Sequence, residues 1–230
     1  MINFCQTSLY CTTKISNNKG RKKIVTDLTF DDFFVIDEKN RKKIKDYGEL
    51  SARVSAFFCD YVKEYHIPVA FENTHTDGKV KITPTEELPV YIKIINTSNK
   101  NFSKMFSLAK NTPLQVPVFE NYLSADSNYQ LNDHHIISFG ILPLADFKMI
   151  GRIATKVNVI LKSYFERRNL TLAEMICTFG KSGDKIVLLG QFSPHSFKLV
   201  PKDEPEKEFD LSTPASIRKY LELFHESVQR

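Results

Sequence analysis

Residues 171–191 (TLAEMICTFGKSGDKIVLLGQ) constrain the fold more than any other stretch. Two runs rich in β-branched, aromatic and aliphatic residues flank Lys181-Ser182-Gly183-Asp184, which predicts a β-hairpin turning there. A long helical pattern comes just before it. From about Pro143 to Arg168, Phe147, Ile150, Ile153, Val157, Ile160, Leu161 and Tyr164 repeat at spacings of three and four. Pro143 suits the first turn of that helix, and Gly151 is its weakest position. A second stripe, Leu50, Val54, Phe57, Phe58, Tyr61, Val62 and Tyr65, predicts a helix over 49–65 that Pro68 ends.

Strands are expected around a turn in 24–36 and at 69–72, 79–83 (across Asp77-Gly78) and 90–96. A short helix is expected over 102–109, with Phe102 and Phe106 packing along one face. Residues 111–135 hold Pro113, Pro117 and several Asn and Asp, and read as irregular. Residues 201–210 form a polar, proline-broken linker. A last helix starts with Ser212 or Thr213 as cap and Pro214 in its first turn; Ile217, Tyr220, Leu221, Phe224 and Val228 are its buried stripe. Helices and strands mix without a regular βαβ rhythm, so the expected class is α+β.

Composition narrows the function classes. A chain of 230 residues can bury a core without staples. The net charge of +5 gives weak support to a polyanion partner. Much of the positive charge sits in clusters at 19–23 and 41–45. Solvated turns explain these better than a nucleic-acid patch, since no aromatic residues are interleaved for stacking. Cys5, Cys11, Cys59 and Cys177 show no zinc-ligand spacing, and Cys59 and Cys177 read as small core residues. The N-terminus turns polar too soon for a secretory leader, and no apolar run is long enough to span a bilayer. The expectation is a reduced, cytoplasmic protein without a membrane role. His134-His135 beside Asp133 reads as a polar loop, and Ser193 with His195 lacks a third group to make a nucleophile and base.

Several segments together resemble SAICAR synthetase (phosphoribosylaminoimidazole-succinocarboxamide synthetase). That family reads D-x-K-x-E-F-G, a strand, then D-E-F-S-P-D-x-x-R. Here Phe179, Gly180, Phe192, Ser193 and Pro194 are kept. Glu174 stands for the first Asp, Ile176 for the Lys and Thr178 for the Glu. Gly190 and Gln191 stand for the acidic pair, His195 for the following Asp and Lys198 for the Arg. His66-Ile67-Pro68, Leu88-Pro89-Val90 and Pro117-Val118-Phe119-Glu120 fit other family elements in order, so the similarity runs roughly over residues 25–200.

The resemblance implies a two-lobe α+β fold with a central cleft holding ATP, with lobes at 1–95 and 96–230. It implies a ligase that phosphorylates a carboxylate on an aminoimidazole ribotide and joins it to aspartate, with carboxylates holding Mg2+. By position it assigns the nucleotide to Lys14, Glu174, Gln191 and Lys198, with Glu174 as metal ligand. It assigns the substrate to Asp32, Asp37, Asn96, Asn101 and Ser193. The departures are concentrated at these positions. The family's glycine near the N-terminal lysines is missing from Tyr10–Lys14 (YCTTK). The family's substrate loop falls on Phe34–Glu38 (FVIDE), which has no glycine. Both arginines of R-N-R-A-A-G-S become Ile95 and Thr97, and Lys100 replaces its Gly. Bidentate anion recognition by those arginines is lost. The reading favoured is a scaffold that has lost ligation and binds a partner, first a protein and second a nucleic acid. On that reading no cofactor is required, whereas ATP and Mg2+ belong to the alternative, a divergent ligase.

Overall fold

The computed structural model describes residues 11–17, 24–37, 40–75, 78–123 and 129–228. Its elements are β1 (Cys11–Asn17), β2 (Ile24–Phe30), β3 (Phe33–Asp37), β4 (Asn40–Lys43), α1 (Tyr47–Lys63), β5 (Phe71–His75), β6 (Lys79–Thr97), α2 (Lys100–Phe106), β7 (Pro113–Leu123), β8 (Gln130–Leu131), α3 (Asp133–Ser138), α4 (Leu144–Glu166), β9 (Leu170–Ser182), β10 (Lys185–Leu188), β11 (Phe197–Pro201) and α5 (Pro214–Val228). The class is α+β, as expected.

One strand organises the molecule. The 19 residues of β6 pair with β2 and β5 along their first half and with β7 and β9 along their second. The sequence suggested two separate strands, at 79–83 and 90–96. The apolar alternation of Val80, Ile82, Val90, Ile92 and Ile94 instead runs on through Pro89 as one element. Residue 95, the expected lobe boundary, therefore lies inside a continuous strand. The hairpin forms as expected. β9 and β10 pair from Ser182↔Lys185 to Phe179↔Leu188, and Gly183 takes the positive φ the turn requires.

The described parts of 111–135 hold more regular structure than their prolines suggested. β7 pairs with β6 from Val90↔Leu123 to Ile95↔Val118, and pairing resumes at Thr97↔Pro113. Pro117 falls in the intervening bulge, where no ladder N–H is needed. His134 and His135 lie in α3, not in a loop. The Asn132 side chain accepts from His135 N, and His135 Nδ1 accepts from Asn132 N.

The helices pack by their apolar stripes. α1 lies on β2, β5, β6 and α5, and α4 lies on β9 and β10. Between them sits an aromatic cluster. Phe58 is fully buried and touches the rings of Tyr164, Phe165, Phe192 and Phe197. Asp32 helps start α1, since its Oδ1 accepts from Gly48 N at 2.9 Å. A side chain at Gly48 would collide with the Phe30 carbonyl, so this start requires glycine. Cys59 and Cys177 are buried core residues, as expected. α2 differs: Phe102 and Phe106 do touch, but Phe106 is 62% exposed and no α2 residue is buried. No helix among the described residues is long and apolar enough to cross a membrane.

Candidate functional site

Strand alternation decides which residues can meet. In β9 Met175, Cys177 and Phe179 point into the core, which puts Glu174, Ile176 and Thr178 on the opposite face. The β6–β9 register sets Ile95 against Glu174, Lys93 against Ile176 and Tyr91 against Thr178. Directly opposed residues share a face. Of the positions the resemblance singled out on these two strands, Glu174, Ile176, Thr178 and Ile95 therefore share one surface, whereas Asn96 alternates onto the other. Lys93 lies on the first surface too, one repeat along β6 from Ile95. On the other flank β11 sets Lys198 against Glu174. Pairing skips Ala173, so a bulge in β9 adjoins Glu174 and re-aims the ladder there.

Beside this face is a cavity of about 390 Å³. Its polar lining includes Lys93, Lys100, Asn101, Lys110, Lys198 and two carboxylates, Glu174 and Glu208. The charges form a chain of alternating sign. Lys93 Nζ is 2.7 Å from Glu174 Oε2, and Lys198 Nζ is 3.4 Å from Glu174 Oε1. Lys198 Nζ is also 3.0 Å from Glu208 Oε1, and Lys110 Nζ is 2.7 Å from Glu208 Oε2. Glu174 is 4% exposed, so a charge there requires such partners. Partial burial pushes the Glu208 carboxyl up, but Lys110 and Lys198 outweigh it and hold it below the ordinary carboxylate range. The apolar wall includes Phe34, with His195 edge-on at 4.6 Å, and Tyr220, whose hydroxyl donates to the Phe197 carbonyl at 2.8 Å.

The remaining sequence-assigned positions lie elsewhere or have structural partners. Asn96 is buried and exchanges two amide hydrogen bonds with Asn158 of α4, at 2.9 and 2.8 Å. Asp32 is held by the start of α1. Ser193 is buried at the cap of a 3-10 turn, Pro194–Ser196, where its backbone N–H donates to Ser196 Oγ at 3.2 Å. Gln191 and Ser193 do not line the cavity, whereas Asn101 does, from the first turn of α2. Lys14 is in β1 opposite Asp27, and Asp37 is in β3 opposite Asn40. Their side chains lie outside what the structure describes, as does the basic cluster at 19–23. Of the second cluster, Arg41, Lys43 and Lys45 are exposed.

The cavity also contains Lys93, Lys110 and Glu208, which no motif position assigned. Lys93 interrupts the apolar run of 90–95, and Glu174 interrupts that of 172–177. A charge inside each of two apolar strands was a signal that they meet. Lys110 and Glu208 gave no such signal, because they lie in polar stretches and only tertiary packing brings them to the cavity.

Of the positions assigned by motif, Glu174, Lys198 and Asn101 line this cavity. The sequence model for SAICAR synthetase matches residues 16–226. The chain belongs to the SAICAR synthetase family. The phosphoribosylaminoimidazole-succinocarboxamide synthase of Clostridium kluyveri is 27% identical over 171 residues, covering 74% of this chain and 73% of the relative. That of Proteus mirabilis is 22% identical over 223 residues, covering 92% and 94%. Among solved structures, a SAICAR synthetase (type 2) in complex with ADP aligns with a TM-score of 0.79 at 22% identity, covering 94% of this chain and 97% of its own.

Within this family frame, the residues present do not fit magnesium at Glu174. A magnesium site needs oxygen donors free to face the ion. Both Glu174 oxygens face ammonium groups. Among the described residues no three His, Cys, Asp or Glu side chains group closely enough to hold a metal. The arrangement fits an anion better: four lysines line the cavity against two carboxylates.

Proposed function

We propose that this member of the SAICAR synthetase family binds a small anionic ligand in its cleft and no longer carries out magnesium-dependent, ATP-driven amide formation. The observation that carries this reading is Glu174, whose two oxygens are both committed to lysines. Transfer of a phosphoryl group needs its developing charge neutralised, and magnesium normally does this. A carboxylate held between two ammonium groups is a poor magnesium ligand. The same lysines suit a phosphate or carboxylate on a bound molecule. Lys93 supports this further, because it restores a cation on the face where Ile95 and Thr97 replace the family's arginines. On this reading the protein works through binding. A protein is the first partner to seek and a nucleic acid the second, and the cytoplasm is the expected compartment.

Family membership supports a second reading. The relatives are named as phosphoribosylaminoimidazole-succinocarboxamide synthases, and the Proteus mirabilis protein is matched over 94% of its length. A ligase of that type would bind ATP and join an aminoimidazole ribotide carboxylate to aspartate. One assay separates the two. The purified chain is supplied with ATP, magnesium, aspartate and the carboxylated ribotide, and ADP and amide product are followed. The first reading predicts neither product above background. Stoichiometric ADP and amide would establish the second.

A further inference from the structure

The segment 202–213 has no helix or strand, yet it is fastened across the side of the cavity. Asn111 Nδ2 donates to the Pro205 carbonyl at 2.7 Å, Lys202 N donates to the Asn169 carbonyl at 3.0 Å, and Asn169 bonds Asp203. Phe209 packs on Tyr220, with ring centroids 5.3 Å apart. Between these fixings Glu208 reaches into the cavity. One of its oxygens sits on Lys198 and the other on Lys110. A carboxylate spanning two ammonium groups is the geometry a ligand's own carboxylate or phosphate would adopt there.

We propose that Glu208 is a built-in competitor: it occupies the anion position between Lys110 and Lys198 and must be displaced when a ligand's anionic group enters. This rests on the reading of the cleft as an anion site and adds what sets its affinity. Three observations support it. The two carboxylates lining the cavity differ in setting. Glu174 is fixed in the ladder of β9, whereas Glu208 sits on irregular chain that can move without breaking a sheet. Glu208 is also more exposed, at 34% of its side chain against 5%. Finally, Lys100 lines the cavity with no carboxylate within 4 Å among the described residues, so an entering anion meets one uncommitted cation before it contests the others.

The consequence is a selectivity rule. A ligand with one negative charge gains little by exchanging places with Glu208. One with a dianionic group, or with two anionic groups, gains Lys100 as well. Displacing an internal group lowers apparent affinity by the fraction of time the site is already filled. If Glu208 fills it nine-tenths of the time, removing its charge strengthens binding roughly tenfold.

The test titrates the full chain with inorganic phosphate by calorimetry, comparing the native protein with Glu208→Gln. Thermal unfolding confirms that the variant is folded. In the native protein alone, hydrogen exchange of amides 203–210 is followed with and without phosphate. The expected results are about tenfold tighter phosphate binding by the variant, and faster exchange of 203–210 in the native protein when phosphate is present. Equal affinities with unchanged exchange would overturn the competitor while leaving the anion site intact. No phosphate binding by either protein would overturn the anion site and the competitor together.

Discussion

The two faces of the β9–β11 ladder lie one residue apart in sequence and have opposite chemistry. On one face Met175 pairs with Phe197 inside the aromatic core; on the other Glu174 pairs with Lys198 inside a charged cavity. The apolar face is over-determined. Phe197 stacks on Phe192 and Phe224 and also meets Phe58 and Phe165. The charged face rests on a chain of ion pairs ending on half-exposed Lys110. Packing is concentrated on the first face and the proposed anion site on the second. This also explains how a family scaffold can persist while its site changes: on β6 and β9 the charged cavity residues Lys93 and Glu174 alternate with core residues, so they can be exchanged with little effect on the packing, whereas on β11 Phe197 and Leu199 serve the core and the cavity wall together.

The sharpest way to break this comparison is to remove an aromatic residue from the packed face. Phe58→Ala should cost about 3–5 kcal/mol of unfolding free energy in denaturant titrations, with phosphate affinity of the folded fraction unchanged. A loss of affinity equal to the loss of stability would show that the two faces are not separable. A pH titration probes the same face. Burial pushes the Cys59 and Cys177 thiols up to about 12 from an ordinary 9.0. Their folded pKa values are raised, so their contribution is fully present below pH 9 and is lost progressively as pH rises toward 12. The thiols should also resist alkylation at pH 8 until the protein unfolds. Rapid alkylation of the native state would contradict their burial.

Asn96 tests where the boundary between the two faces lies, because the sequence placed it with substrate and the structure pairs it with Asn158. Asn96→Ala should destabilise by about 1–3 kcal/mol, because it leaves a buried amide unpaired. The double variant with Asn158→Ala should cost less than the sum of the two. Additive costs, or a change in phosphate affinity alone, would return Asn96 to the binding site. The smallest effect on stability is expected at the rim. Lys110→Gln should change stability by less than about 1 kcal/mol, since exposed pairs contribute little. Added salt should shrink even that difference.

Much of the fold was legible in the sequence because its signals are local. The stripes of α1 and α4, the Lys181–Asp184 turn and the Thr213-Pro214 helix start each depend on neighbouring residues, and each is found within a few positions of where it was read. The family motifs extended this to topology. β7 was missed because its prolines read as breakers, and only the partner strand shows that Pro117 sits in a bulge. β6 was read as two strands, 79–83 and 90–96, but pairing at Glu86 with Ile24 and Lys181 joins them. The site was half legible. Glu174 and Lys198 were found by motif position. Lys93 was present as a lone charge in an apolar strand. Lys110 and Glu208 reach the cavity only through chain geometry that no spacing encodes. Charge is absent at Ile95 and Ile176 but present at Lys93 on the same face.

The central claim is that this cleft recognises anions through lysines and has no working magnesium site at Glu174. Calorimetric titration of the purified chain with ATP, in the presence and absence of magnesium, tests it most directly. The account predicts that any ATP binding comes through its phosphates, weakens with salt, and is no tighter when magnesium is added. Tight binding that requires magnesium would contradict it.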